Sequence, residues 1–169
     1  MPDLHGWISR QIAKAEAAAE ACPPWPWTFN PDEDAVLAAD DIRVVEAFAL
    51  SSRQQYAVGA HIAAHDPAAV LRRCTADRII LEFHQQDSGG TACIGCGTWG
   101  DCQDWETSNI NDCPTLLALA LALGLTDEQR RQLHRPQPPE PDRAWGIGQP
   151  PDTSHVPAAL RGPNWKAQP

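Results

Sequence analysis

A chain of 169 residues with 43% hydrophobic residues and a formal charge of −9 has the length of one compact domain with some additional chain. The longest apolar run, from Leu116 to Leu125, has ten residues, whereas about 20 are needed to cross a bilayer. No basic segment followed by an apolar stretch resembles a signal peptide at the start of the chain. These features exclude a multidomain protein and predict a cytoplasmic protein without a membrane span.

One segment of the chain carries acidic side chains without any basic ones. Residues 84–124 carry five acidic side chains and no Lys or Arg. Proteins that bind nucleic acids need cationic side chains where phosphates lie, since counterion release supplies most of their non-specific affinity. We therefore expect no nucleic-acid binding by this segment. An accessory protein that binds nucleic acid would have to use Arg72, Arg73, Arg78 and the arginines near the carboxyl terminus, and the first three are more simply a solvated helix face.

The first half of the chain predicts helix, strands and then two helices. Asp3 is a suitable N-cap for an amphipathic helix that runs to Ala21, where two prolines end it. The segment 25–48 alternates β-prone residues with turn residues, which predicts two or three short strands. A helix over 52–65 follows, and Asp66-Pro67 is typical of a new helix start, with the second helix reaching about Gln86. Successive side chains of a helix are rotated by about 100°, which places Val70, Cys74, Leu81 and His84 in one narrow stripe. We expect this stripe to face the core.

A glycine-rich segment, residues 87–112, interrupts this regular pattern. It contains Cys93, Cys96 and Cys102 and shows little hydrophobic periodicity. Structureless segments of this length inside a compact domain are uncommon without a functional or structural constraint, and a bound metal would supply one.

The helix that opens at Cys113-Pro114 is apolar on every side until Gly124, so we expect it to be buried, either fully or partly against a second chain. Thr126 and Gln129 form a capping-box pattern for a last short helix that reaches about His134. We therefore predict an α+β domain over residues 1–134: an N-terminal helix, a small antiparallel sheet, a helix pair, a metal-stapled loop and a buried C-terminal helix. Nine of the 16 prolines lie in residues 135–169, which predicts a disordered or extended tail.

The cysteine spacing predicts a zinc site. Zinc prefers four tetrahedral sulfur and nitrogen ligands, and Cys93 and Cys96 supply two sulfurs from one tight turn that contains Gly95. Cys113 stands at a predicted helix N-terminus, where backbone N–H groups and the helix dipole favour the thiolate. His84 and Cys102 both remain candidates for the fourth ligand, and the position of His84 on the core-facing helix stripe favours His84.

Catalytic alternatives lack the residues that they need. His61 and His65 have the spacing of a metalloprotease pair, but no Glu follows the first histidine, and we expect His65 to interact with the helix C-terminus instead. The His-x-Glu and Pro-Cys elements of zinc deaminases are also missing. A redox CxxC would open a helix after a strand, whereas this pair lies among glycines. A zinc hydrolase with water in the fourth coordination position remains the enzymatic alternative.

Five tryptophans divide into two groups. Trp7, Trp25 and Trp27 are expected to be core aromatics. Trp99 and Trp105 lie in the glycine-rich segment and either cover the metal, which we prefer, or form a contact surface.

Longer runs of the sequence resemble a family of small uncharacterised proteins of actinobacteria and their phages. The resemblance spans about residues 3–123 and includes the N-terminal helix, the strand at Trp27, and the run His61-Ile62-Ala63-Ala64-His65-Asp66-Pro67-Ala68-Ala69-Val70-Leu71-Arg72-Arg73, followed by His84, Cys93-x2-Cys96-Gly97 and Cys113-Pro114-Thr115-Leu116. It implies one His and three Cys ligands, namely His84, Cys93, Cys96 and Cys113, and hence a zinc site. The chain departs from the family in a longer loop that contains Cys102, and in Leu117 where the family has arginine. The family carries no established activity, so the sequence predicts a non-catalytic zinc-binding structural or interaction protein with an unidentified protein partner.

Overall fold

The computed structural model describes residues 1–49 and 51–139. Five α-helices form in this part of the chain: α1 (Leu4–Glu20), α2 (Ser52–Ala64), α3 (Pro67–Phe83), α4 (Pro114–Ala122) and α5 (Asp127–Gln132). Five short strands accompany them: β1 (Thr28–Asn30), β2 (Ala35–Leu37), β3 (Arg43–Glu46), β4 (Thr98–Trp99) and β5 (Asp104–Trp105). The predicted α+β class and element order are confirmed. One compact unit extends from Met1 to Pro138, and most of the predicted tail, from residue 140 onward, lies outside the described residues.

The helices begin where the predicted caps place them. The Asp3 carboxylate accepts a hydrogen bond from the Gly6 N–H at 2.7 Å, and Asp66 accepts one from Ala69 at the same distance. Thr126 caps α5 in a full capping box. The predicted end of α3 at Gln86 is wrong, because the helix stops at Phe83 and Gln86 instead forms an isolated antiparallel bridge with Cys93.

The small sheet is antiparallel with the order β1-β2-β3, and α2 packs against it. Val36 lies at the centre of the sheet, opposite Phe29 on β1 and Val45 on β3, and is fully buried. Gly59 on α2 sits directly over the Phe29 ring, where a Cβ atom would lie 2.1 Å from Phe29 Cδ2. Glycine at this position therefore sets how closely the helix approaches the sheet.

Replacing Gly59 by alanine is expected to destabilise the protein by about 2 kcal/mol. Alanine gains up to about 1 kcal/mol of helix propensity, but the clash with the ring exceeds that gain because overpacking costs about 1–3 kcal/mol. Urea unfolding measures the change. In a Phe29→Leu background the planar ring is absent, so Gly59→Ala should cost markedly less there; equal costs in both backgrounds would rule out the contact as the cause.

The main hydrophobic core lies where α1 packs against α3 and α4. Leu4, Ile8 and Ile12 are fully buried at a spacing of four, which places them on one face of α1. They pack with Ile110 and Leu116, and Cys74, Leu81, Cys93 and Cys113 belong to the same cluster. Two of the cysteines predicted to bind metal, Cys93 and Cys113, are therefore part of the core, and the third, Cys96, packs against it.

Full burial of α4 within this chain, one of its two predicted alternatives, is wrong, and so is the core position predicted for Trp25. Only Leu116 and Ala120 of α4 are buried, and Leu121 is 74% exposed, because α1 and the segment before α4 cover a single face of the helix. Trp25 is 47% exposed rather than a core residue, since β1 begins three residues later and no strand pairing turns its side chain inward. Trp7 and Trp27 are half-buried.

No helix in the ranges 1–49 and 51–139 combines the length and the apolar character that crossing a membrane requires.

Candidate metal centre

Four side chains from three separate elements meet at one edge of the core. His84 is the C-cap of α3, and Cys113 is the N-cap of α4. Between them, Cys93 precedes a single 3-10 turn, Ile94–Cys96, that ends at Cys96. We call these four residues the His/Cys3 cluster. Among the described residues, these side chains come close enough together to serve as ligands of one metal ion.

Four of the six separations between donor atoms in the cluster are close to those of ligands around one ion. His84 Nδ1 lies 3.4 Å from the Sγ atoms of both Cys93 and Cys113 and 3.9 Å from that of Cys96. The Sγ atoms of Cys96 and Cys113 are 3.5 Å apart, and all four donors lie within 4.8 Å of one another. Zinc with Zn–S bonds of about 2.3 Å and Zn–N bonds of about 2.0 Å requires N···S edges of about 3.5 Å and S···S edges of about 3.8 Å. The four donors are therefore close enough to hold a metal ion.

Two glycines allow the CxxC turn to fold against the end of α3. At Gly95 a Cβ atom would lie 2.3 Å from the Phe83 carbonyl oxygen and 2.8 Å from His84 Nδ1, so no side chain fits. At Gly97 space is free, but the backbone has φ 77° and ψ −166°, a region that is essentially restricted to glycine. The first glycine is needed for close approach and the second for backbone conformation.

Backbone hydrogen bonds fix the turn to its surroundings. They connect it both to the residues after α3 and to the segment that leads into α4. Three of them are Ile94 N–H to Gln85 O (2.9 Å), Cys93 N–H to Thr107 O (3.0 Å) and Ile110 N–H to Thr91 O (2.7 Å). The glycine-rich segment is thus held at its two ends, and its cysteines keep a fixed position relative to His84.

Burial disfavours the ionised form of the cluster thiols when no cation is bound. Cys93 and Cys113 are fully buried, and desolvation raises the pKa of the Cys93 thiol to about 12. Desolvation also raises the pKa of Cys113, although the nearby backbone N–H of Leu116 acts in the opposite direction. The expected lowering of the Cys113 pKa by its helix N-terminus is therefore outweighed by burial. A divalent cation reverses this balance, because a coordinating thiol is deprotonated by the charge of the metal.

Cys102, the other candidate for the fourth ligand, is not part of the cluster. It is exposed in the turn between β4 and β5, which form a two-stranded hairpin. Trp99 and Trp105 lie on this hairpin and are 62% and 39% exposed. Thr98 pairs with Trp105, and paired residues of an antiparallel ribbon share one face. Trp99 follows Thr98 in the strand, so its indole lies on the face opposite to that of Trp105. Their exposure favours the contact-surface alternative over the preferred metal cover.

The two histidines of α2 behave as the non-metal interpretation predicts. His65 Nδ1 lies 2.8 Å from the His61 carbonyl oxygen, at the C-terminal end of the helix, and both side chains are exposed. Their rings lie 4.3 Å apart.

Two asparagines that connect the segment beside the cluster to the rest of the domain through hydrogen bonds were not predicted from the sequence. The buried Asn111 side chain accepts a hydrogen bond from the Leu4 N–H at 2.9 Å and donates one to the His134 carbonyl at 2.9 Å. Asn109 accepts from the Asn111 N–H at 3.1 Å and donates to the Pro136 carbonyl at 2.9 Å. The signal was present as an Asn-x-Asn pair directly before a helix start, since asparagine there commonly bonds nearby backbone groups.

The fold and this site define a small α+β domain with one His/Cys3 cluster that is close enough to hold a metal ion. Residues 1–123 match the family described as "Family of unknown function (DUF6221)", and the chain belongs to that family. No curated protein and no solved structure matches the chain significantly.

Proposed function

We propose that the protein binds one structural Zn²⁺ through His84 Nδ1 and the Sγ atoms of Cys93, Cys96 and Cys113, and that it acts as a non-catalytic structural or interaction protein. The observation that carries this proposal is the set of four donor atoms within 4.8 Å of one another. Three sulfurs and one imidazole nitrogen are donors that zinc favours, and four of them complete its usual structural coordination.

A single zinc ion explains the cluster better than an iron–sulfur centre. The Cys96 and Cys113 sulfurs are only 3.5 Å apart, an edge that fits two ligands of one ion. A two-iron cluster is a larger core whose ligands are divided between two metals. The donor spacing therefore supports one tetrahedral ion.

The number of donors supports the proposed non-catalytic role. A catalytic zinc ion keeps one position open for water or substrate, whereas four protein donors complete the tetrahedron of this site. The zinc hydrolase alternative would require one of these four side chains to leave the metal.

The same chemistry supports a proposed location and a proposed kind of partner. Three zinc-bound thiolates persist in a reducing compartment, and all six cysteines are free, which supports a cytoplasmic protein. A protein partner is favoured over nucleic acid because the segment that carries the cluster has five acidic and no basic side chains. The composition, with 11 Arg and 2 Lys, fits an actinobacterial or phage source.

Metal analysis combined with X-ray absorption tests the proposal. Protein purified without added metal should contain about one zinc per chain, with a coordination shell of three sulfurs and one nitrogen. A content well below one ion per chain would refute the zinc site. A shell that contains a water oxygen in place of one of the protein donors would favour the hydrolase instead.

Substituting His84 and Cys102 in parallel separates the two candidates for the fourth ligand. His84→Ala is expected to lower zinc affinity by more than about 100-fold, because even residues outside a coordination shell alter affinity by about 10- to 100-fold. Cys102→Ser should leave zinc affinity and thermal stability unchanged. Competition with a chromophoric chelator measures both, and the reverse pattern would assign the fourth position to Cys102.

A further inference from the structure

The exposed side of α4 presents an apolar surface that nothing in the described part of the chain covers. Leu121 is 74% exposed, and Ala118 and Ala122 beside it are also exposed. A groove of about 330 Å³ runs between α4 and α5, with Leu117, Ala118, Leu121 and Leu125 along it and Asp127 and Arg130 at its rim. We call this surface the α4–α5 face. A protruding leucine beside an apolar groove is unfavourable in water and is typical of an interaction site.

Charge makes this face suitable for contact between identical chains. The protein carries a formal charge of −9, so two copies repel each other over most of their surface. On α5, however, two acidic side chains in the first turn are balanced by two basic side chains in the last turn, so this helix carries no net charge. Arg131 and Glu128 already pair with each other within the helix. Asp127 and Arg130 form no ion pair within the described residues, although Arg130 lies near enough to Asp112 to help lower the pKa of that carboxyl. Both side chains line the rim of the groove, where a group of opposite charge on another molecule could reach them.

The arrangement is complementary to itself. The protruding Leu121 and the groove that could receive it lie on the same face, and so do the acidic and the basic group. In a two-fold interface the same patch occurs on both subunits, so that residue i meets residue j and residue j meets residue i. A two-fold axis across the α4–α5 face inserts Leu121 of each copy into the groove of the other and places Asp127 of each copy opposite Arg130 of the other.

From this geometry we propose that the protein forms a two-fold homodimer through the α4–α5 face. The dimer buries the apolar surface that the monomer fold leaves exposed on α4. Formation of the dimer does not depend on which metal occupies the His/Cys3 cluster, although one cysteine of the cluster is the N-cap of α4. An interface of one short helix and its neighbour is small, so the dimer exchanges with the monomer.

Sedimentation equilibrium of the full chain tests the dimer over a concentration range that includes a Kd of about 1–100 μM. The wild type should shift from monomer to dimer, and Leu121→Glu should weaken association by at least about tenfold because it places a charge in the apolar contact. Ile79→Glu is the matched control, since Ile79 is 51% exposed on α3 and should associate as the wild type does. A wild type that stays monomeric throughout, or a Leu121→Glu protein that dimerises normally, would overturn the proposal.

A pair of charge reversals tests the two-fold arrangement. Asp127→Arg and Arg130→Asp should each be monomeric alone, since each places like charges in apposition twice across the axis. Mixed together, they should form a heterodimer in which both ion pairs are restored. Any local destabilisation of α5 persists in the mixture, so recovery on mixing can come only from the interface. No recovery in the mixture would contradict the proposed interface. Zinc content, measured for every variant, keeps failure of this dimer distinct from failure of the metal site.

Discussion

Removing the proposed zinc ion with a chelator is expected to unfold the core built by α1, α3 and α4, and not only to loosen the glycine-rich segment. Structural zinc contributes on the order of 10–16 kcal/mol of apparent binding free energy, compared with a net stability of about 5–15 kcal/mol for a whole domain. Cys93 and Cys113 are fully buried in the same cluster as Leu116 and Ile110, so the metal site and the core share one set of contacts. Losing the ion therefore removes a contribution as large as the entire stability.

Thermal unfolding followed by circular dichroism measures the effect, and amide hydrogen exchange locates it. Protection of amides in α4 and in residues 91–113 should be lost first, whereas α2 and the sheet, which pack with each other, should lose protection later. Readdition of zinc should restore the cooperative transition. Cys102→Ser serves as the matched cysteine control and should respond to the chelator as the wild type does. A metal-free protein that melts at the temperature of the loaded one would show that the ion is not structural.

Replacing Gly95 by alanine is expected to damage the metal site without removing any ligand. The new Cβ atom would lie 2.3 Å from the Phe83 carbonyl oxygen and 2.8 Å from His84 Nδ1. Backbone atoms at the end of α3 cannot move aside as a flexible side chain can, so the CxxC turn must shift away from His84. We expect a loss of about 3 kcal/mol in stability, since overpacking and backbone strain each cost about 1–3 kcal/mol, and at least a tenfold loss of zinc affinity.

Gly89→Ala is the matched control for this substitution. Gly89 lies in the same glycine-rich segment, but the nearest atom to a Cβ there is the Asp87 carboxylate oxygen at 3.9 Å, an ordinary contact. Alanine at this position should change the free energy of unfolding by no more than about 0.5 kcal/mol relative to the wild type, and it should leave zinc affinity unchanged. Equal effects of the two substitutions on chelator competition and urea unfolding would show that the close approach at Gly95 is not what positions the turn.

The candidate site could be predicted largely from local signals. Cys93 and Cys96 share a CxxC turn, and Cys113 precedes a proline that opens a helix; both patterns depend on neighbouring residues only. The helical stripe predicted for α3 favoured His84, and the structure places His84 at the C-cap, directly after the last helical residue. The choice between His84 and Cys102 could not be made from spacing, since loop conformation decides which of the two reaches the other donors. The hairpin of β4 and β5 carries Cys102 into an exposed turn, and its two short strands gave no periodic signal.

The sequence by itself determined the α+β class, the helix starts at Asp3, Asp66 and Thr126, and the three cysteines of the His/Cys3 cluster, because caps, periodicity and CxxC spacing act over a few residues. Only the tertiary structure decided which atom of His84 faces the sulfurs, why Gly95 has no side chain, and which side of α4 is buried. Those properties depend on the packing of elements distant in sequence. The composition of α4 indicates only that its surface is apolar, whereas the position of α1 determines that one face joins the core and that Leu121 on the other face is left exposed.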